Sequence, residues 1–452
     1  HDAAIRAMDQ LLWPIIGITL VLMSVFLPSA FLPGLTGRMY AQFALVIAAT
    51  ALISAINAAT LKPTQCALWL RPSVPPERRN AFYRGFNAVY IRIENAYAGL
   101  IVRMAGHSRV MVAIALLIIV AAGYVMARIP TGFLPIEDQG YVIVSVQLPD
   151  GAALDRTRQV LAEVSARAGK VDGVAHVIAI SGVSALDNNT TLANAGVAYV
   201  VLKDWSVRGN RLGLKEMFAK LTAAFSGIQA ARVVIFPPPP IQGIGNAGGF
   251  VMQVELKDGS FDLAKLQSIT NATVSHAQSQ SGLQHVTSSF RSTVPQLTIA
   301  VDRVKAESLH VSVNQVFSTL STYLGSTYVD QFNKFGRTFQ IYVQAASRFR
   351  LLPRDIANLP VRTQSGTMIP LGTIVHLVPA AGPSLLSLYN LYPSATILGL
   401  PAADVSSGDA LRLMEELAAK TLPPGAGYQW TAMSYQEKIT GHQIYLAFGL
   451  AL

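Results

Sequence analysis

The chain has 452 residues, 51% hydrophobic and only 13% charged, with a single cysteine and a formal net charge of +10. That much apolar side chain excludes a disordered polypeptide, and one cysteine excludes an internal disulfide framework. A surplus of basic residues invites a nucleic-acid partner, so its distribution along the chain is the deciding feature.

Leu11–Leu32 and Tyr40–Leu61 each supply about twenty residues without a charge, and Val110–Ala127 is a third such run. Three runs of this length predict three membrane-crossing helices. Most of the basic surplus lies between the second and third, in Lys62, Arg71, Arg78, Arg79, Arg84, Arg92, Arg103 and Arg109, against only Glu77 and Glu94. Loops rich in Lys and Arg beside membrane helices stay on the cytoplasmic side, so the charge reports topology and no nucleic-acid partner is expected. Counting crossings then puts the Pro33–Arg38 connection, and the large polar region from 129 to 437, outside the cytoplasm. Cys66 falls on the inner side, leaving the outer region to hold together by packing alone. Within the inner segment Phe82, Phe86, Val89, Ile93, Tyr97 and Leu100 recur at helical spacing, which predicts a basic amphipathic helix lying in the headgroup plane. The sequence opens on His1 and closes inside the apolar run Ile444–Leu452, so it is expected to be part of a longer polypeptide. The first apolar run has neither the basic flank nor the cleavage site of a signal peptide.

The outer region alternates in type. Gly140–Leu148 reads as a strand, Leu154–Ala168 as a helix with an acidic start at Asp150 and Asp155, and Val174–Ile180 as a strand. A strand at Gly196–Leu202, a helix at Leu214–Phe225 and a strand at Ala231–Phe236 complete the split βαβ, ferredoxin-like order. A second half-unit follows as Phe250–Lys257, Leu263–Ser279 and Leu283–Ser288. Its match comes only at Thr396–Leu400, Gly408–Ala419 and Gly427–Thr431, and the residues between carry strands at Gln296–Val301 and Thr338–Val343 and a helix near Val313–Tyr323. The fold class is therefore an α+β membrane protein, with transmembrane helices and two ferredoxin-like subdomains, the second interrupted by an inserted module. Between the subdomains, Gly243, Gly245 and Gly248 fit the pattern G-x-G-x-x-G. A dinucleotide loop leaves a strand and opens into a helix, whereas here the run Pro237–Pro240 precedes the glycines and a strand follows them. Pro237, Pro240, Gly243, Gly245 and Gly248 read as a hinge or flap, and no cofactor is expected.

Five segments together resemble the resistance-nodulation-division transporters, specifically their hydrophobe/amphiphile multidrug efflux branch. They are "GFLPIEDQGYVIVSVQLPDGAALDRT" from Gly132, "VAYVVLKDW" from Val197, "FPPPPIQGIGNAGGF" from Phe236, "VDRVKAESL" from Val301 and "MSYQEK" from Met433. The resemblance covers essentially the whole chain and implies the middle of a twelve-helix inner-membrane pump. It implies two transmembrane helices over 1–62, a cytoplasmic interfacial helix over 63–109 and a further span over 110–128. It also implies a first periplasmic porter subdomain over 129–242, a second over 243–289 and 396–436, a docking module over 290–395 and the start of another span over 437–452. The family works as a homotrimer in the bilayer, passing amphiphilic compounds to an outer-membrane channel through a periplasmic adaptor, and proton antiport drives it. The aspartates of that proton path belong to a helix outside this sequence.

On the same resemblance, Ile178, Ile180, Val183 and Ala185 occupy places in the cleft that often hold phenylalanines, with Tyr199 as the nearest ring. Such a pocket leans on aliphatic burial, at about 25 cal/mol per Å² removed from water. Phe236 and Ile241, flanking the prolines, are cleft or flap residues or else core packing, and Arg291 is either a substrate contact at the outer entrance or a surface ion pair. Lys62 stands where the family has a small polar residue. Glu137 and Asp138, just after a span, are read as a solvated structural pair rather than a proton relay. His107, His176, His276, His285, His310, His376 and His442 are scattered, and so are Met217, Met252, Met368, Met414 and Met433, so neither enzyme catalysis nor a metal site is expected. The competing functions are a lipid or protein-export factor of the same superfamily and a membrane-anchored scaffold without transport.

Overall fold

The computed structural model describes residues 2–32, 34–70, 81–128, 132 and 134–439. Four helices come first: α1 (Asp2–Phe26), α2 (Gly34–Trp69), α3 (Ala81–Gly106) and α4 (Ser108–Arg128). Spans long and apolar enough to cross a membrane run over Ala4–Phe31, Gly37–Trp69 and Ser108–Val125. Their large side chains, Trp13, Phe43 and Leu117 among them, are exposed on the protein alone and need hydrocarbon as solvent. Helix α2 begins at Gly34, so the expected connection at Pro33–Arg38 is mostly helix, and it continues through Pro63 to Trp69, which places Lys62 inside it. The amphipathic α3 buries none of its residues against the rest of the protein. Arg71, Glu77, Arg78, Arg79 and the Ile444–Leu452 run lie outside the described residues.

The first polar body is built from β1 (Tyr141–Gln147), α5 (Leu154–Ala168), β2 (Val174–Ser184), β3 (Thr190–Leu202), the short α6 (Trp205–Arg208), α7 (Leu214–Phe225) and β4 (Arg232–Phe236). Its strands order as β2-β3-β1-β4, all neighbours antiparallel. Alternation explains the packing: Val142, Val144 and Val146 of β1 point to one side, where Val160, Leu161 and Val164 of α5 and Met217 and Leu221 of α7 close the core. Strands β2 and β3 extend well past their expected limits, pairing as far as Ser184 with Thr190. Asn188 and Asn189 turn the chain there at φ 52° and 59°, a region that asparagine tolerates. The polar stretch between the two expected strands is thus the end of a long hairpin.

The second body follows the same plan with β5 (Phe250–Leu256), α8 (Leu263–Gln278) and β6 (Leu283–Ser288), then an insertion. The insertion holds β7 (Val294–Val301), α9 (Arg303–Ser308), α10 (Val313–Leu320), β8 (Thr327–Lys334), β9 (Arg337–Val343), α11 (Pro353–Ala357), β10 (Pro360–Arg362), β11 (Met368–Pro370) and β12 (Val375–Gly382). After it come β13 (Ser387–Tyr389), β14 (Tyr392–Pro401), α12 (Ser407–Thr421) and β15 (Ala426–Trp430). Here β14 lies between β6 and β5, and β15 pairs the other edge of β5. Helices α8 and α12 cover one face, burying Leu266, Leu411 and Met414 against Met252, Val254 and Ile397. Side-chain oxygens cap both helices, Asp262 accepting from the N–H of Lys265 and Ser406 from that of Asp409. The insertion has its own core around Val316, Val361, Leu371 and Ile374 and is joined by the antiparallel pair β7 and β12.

Leu221 is fully buried in the first core, whereas Ile178 on the opposite side of that sheet is 55% exposed. Replacing Leu221 by Ala should cost about 2–5 kcal/mol of unfolding free energy, and replacing Ile178 by Ala should cost a small fraction of that. Denaturant unfolding of the purified protein, followed by tryptophan fluorescence, checks the contrast; equal losses would contradict this assignment of the two faces.

Candidate functional site

Both sheets carry helices on one face only, so the residues of odd register on β1 define a second, helix-free surface. Ile143 pairs with Tyr199 and with Phe236, Ser145 with Val197 and Val234, Gln147 with Ala195 and Arg232. One strand further, Ile178 and Ile180 of β2 face Tyr199 and Val197. The surface is apolar: Ile143, Ala185 and Val197 form a cluster with Tyr141, Val183 and Tyr199, and the two tyrosine rings lie 6.4 Å apart. Five of the residues expected to contact substrate, Ile178, Ile180, Val183, Ala185 and Tyr199, therefore share one face. Ile178 and Ile180 are exposed, Val183 and Tyr199 half-buried, and Ala185 buried.

Phe236 belongs to the same face but is buried in a joint between the two bodies, with Leu186, Ala247, Leu398 and Leu400. The opposing sheet contributes its own helix-free face there, with Val251, Gln253, Thr396 and Leu398. Ile241 is half-buried in the connecting loop, away from this cluster, and Arg291 lies at a separate cavity. A further contact was not legible beforehand: Asp187, at the tip of the β2–β3 hairpin, accepts hydrogen bonds from the hydroxyls of Ser184 at 2.6 Å and Ser289 at 2.5 Å. Beside it Asn188 accepts from the side-chain amide of Asn246 at 3.2 Å. The stretch Asp187–Asn189 signals a turn in sequence, but nothing in it names its distant partners.

The proline-glycine loop runs from β4 to β5, a strand on each side. Pro237, Pro238 and Pro239 are buried, and the Gln139 amide donates to the Pro239 carbonyl at 3.1 Å. The Gly248 N–H donates to the Pro237 carbonyl at 2.7 Å, tying the ends of the loop together. A methyl group on Gly248 would meet the Pro238 carbonyl oxygen at 2.8 Å, so close approach is the reason for glycine there. Gly243 and Gly245 have φ near +88° and +85°, the conformation that favours glycine. Around the glycines opens a cavity of about 360 Å³ lined by Ala185, Gln253, Tyr389, Thr396 and Tyr435. Another of about 270 Å³ lies where Gln147, Asn194 and Arg232 of the first body meet Ser289 and Arg291 of the second.

Asp138 departs from the expected solvated pair. Its carboxylate meets the guanidinium of the buried Arg208 at 2.8 Å and accepts from the Gly140 N–H at 3.0 Å. Arg208, the last residue of α6, also donates to the carbonyls of Lys203 before that helix and Leu212 after it. Burial works against the charge on Asp138, but the hydrogen bonds from Arg208 and Gly140 and the attraction of Arg208 outweigh it, so its pKa lies below the usual carboxylate value. The segment entering β1 from the membrane side is thereby held by two adjacent side chains, Asp138 on α6 and Gln139 on the proline run.

Three helices long and apolar enough to cross a membrane, joined to two one-sided sheets of which the second is interrupted by a module, define a mixed helix and sheet membrane protein. The chain belongs to the AcrB/AcrD/AcrF family, whose model matches residues 1–452, in line with the resemblance of its motifs. It is 35% identical to the multidrug export protein AcrF of Escherichia coli K12, over 98% of this chain and 43% of that protein. It is likewise 35% identical to the multidrug resistance protein MdtF of the same strain, over 100% of this chain and 44% of that protein. With the toluene efflux pump membrane transporter TtgB of Pseudomonas putida it shares 32% identity over 100% of this chain and 43% of that protein. The chain spans less than half the length of these curated relatives.

A lowered carboxylate pKa fixes the sign of the pH dependence. The stability that Asp138 contributes is fully present above its unfolded value near 3.8 and is lost as pH falls through its lower folded value. Asp138→Asn should therefore melt below the parent protein at pH 7, with the gap closing as pH falls below 3.8 through the lower folded value. Thermal melts across pH 2–7 measure it, and a gap independent of pH would contradict the ion-pair account.

Proposed function

We propose that the full-length protein is a proton-driven efflux transporter of the bacterial inner membrane, exporting hydrophobic and amphiphilic compounds. The observation that carries this reading is the apolar, helix-free face bearing Ile178 and Ile180, exposed to solvent beside a second sheet with its own helix-free face. A soluble domain normally buries such a face. Left uncovered, it offers area to greasy ligands without directional groups that would select one of them. Family membership and the names of the relatives, which describe multidrug export and a toluene efflux pump, support the same direction.

On this reading residues 129–242 form the first porter subdomain, 243–289 and 396–436 the second, and 290–395 a docking module, all periplasmic. The shared strand order of the two sheets supports a ferredoxin-like class for both. Ile178, Ile180, Val183, Ala185 and Tyr199 contact substrate, Phe236 packs in the joint that closes the inner end of the path, Ile241 belongs to the adjoining flap, and Arg291 sits at its entrance. Because the proline-glycine loop is buttoned between Pro237 and Gly248, flap motion concentrates in 240–247. The protein acts as a homotrimer with a periplasmic adaptor and an outer-membrane channel, and the proton path lies in the remainder of the polypeptide.

Cells lacking their own pumps and expressing the full-length protein with its partners should accumulate less of a fluorescent amphiphile. The double substitution Ile178→Glu and Ile180→Glu should abolish most of that difference at unchanged abundance. Full export by the charged variant would remove the face from the path, and absence of export by the parent, with a secretion or lipid defect on gene deletion instead, would favour the lipid or protein-export alternative.

A further inference from the structure

The cavity of about 270 Å³ has a chemistry unlike the apolar face beside it. Two guanidinium groups from different bodies line it. Arg232 opens β4 in register with Gln147, on the helix-free side of the first sheet. Arg291 follows β6 in the second body, with one nitrogen held on the Phe290 carbonyl at 2.9 Å. Among the described residues neither takes part in an ion pair, in contrast to Arg208, which is matched by Asp138. Although Arg232 remains exposed, partial desolvation, and then the like charge of Arg291, lower its pKa. The only carboxylate in the lining is the exposed Asp150, and the Ser289 hydroxyl is already committed to Asp187. Two positive charges thus share a concave site with one negative charge on its rim, and Leu148 and Leu192 supply apolar wall next to them.

We infer that Arg232 and Arg291 form an anion subsite that takes the acidic head of an amphiphile, a carboxylate, sulfonate or phosphate, while its apolar part extends toward the helix-free face. A guanidinium offers up to five donors in a planar fork that matches these oxyanions, and an anion between two of them relieves their repulsion. The inference rests on the efflux reading for its physiological meaning, but binding itself is testable without transport. It makes this chain selective for acidic over basic amphiphiles of equal apolarity.

Matched probes separate charge from grease: naphthalene-2-sulfonate and trimethyl-(2-naphthyl)ammonium share one ring system and differ in the sign of the head. Calorimetric titration of the purified full-length protein in neutral detergent should show tighter binding of the sulfonate. Arg232→Gln with Arg291→Gln should weaken the sulfonate about tenfold or more and leave the ammonium probe unchanged. Lysine at both positions should restore part of the sulfonate affinity, and Asp150→Asn should tighten it. Equal loss of both probes in the glutamine variant, or sulfonate affinity that survives it, would overturn the subsite. Repeating the titration in phosphatidylglycerol and phosphatidylcholine nanodiscs identifies the source of the head: displacement only by the former assigns a lipid headgroup, and displacement by neither a soluble amphiphile, both consistent with an anion subsite. If the sulfonate binds through the arginines but cells expressing the protein export neither probe, the subsite stands and the efflux reading fails.

Discussion

The constraint on which this architecture rests is one-sided coverage of its sheets. Each polar body has two main helices, and both pack on the same face, where Val144 and Met217 in the first body and Met252 and Met414 in the second are fully buried. The opposite faces have no helices left to cover them. In a soluble protein that deficit would be closed by a partner layer or by polar residues. Here the first sheet keeps isoleucines and tyrosines on it, and the two bodies meet at an apolar cluster around Phe236 and at polar contacts beside Asp187. A cleft results because the coverage runs out, rather than from any special loop.

That cleft has two chemically distinct regions. One is aliphatic and phenolic, offering dispersion and burial with little orientation. The other, at the far strand ends, is cationic and assembled from both bodies at once. A site whose halves belong to separate bodies changes when those bodies shift, since the spacing of its charges is set by their separation. The polar tethers at Asp187, with Ser184 on its own hairpin and Ser289 across the boundary, show that the bodies are also positioned by hydrogen bonds that a modest rotation would break.

Much of this was readable in the residues, for physical reasons that can be named. Helices α5 and α7 begin and end where their apolar periodicity does, and the insertion showed itself because a strand-helix-strand unit lacked its second half. Motif resemblance identified the family and singled out Ile178, Ile180 and Tyr199, and the pairing of β2 with β3 puts them on a common side. What stayed hidden was tertiary. The β2–β3 hairpin outran its expected ends because cross-strand pairing continues past the apolar alternation, to Val183 opposite Thr191 and Ser184 opposite Thr190. Asp138 became an ion pair because Arg208, distant in sequence, folds onto it, and Phe236 became joint rather than open wall because the second body covers it. Arg232 carried no signal in sequence, since its importance depends on a neighbour from another body.

The stem of the insertion has a consequence of its own. Strands β7 and β12 run antiparallel in unbroken register from Val294 opposite Gly382 to Val301 opposite Val375, so the chain leaves and re-enters the second body at adjacent points. Such a unit behaves as a cassette: its interior can lengthen, shorten or be exchanged without altering the path of the host sheet. The inserted module can diversify while the sheet that carries it stays as it is.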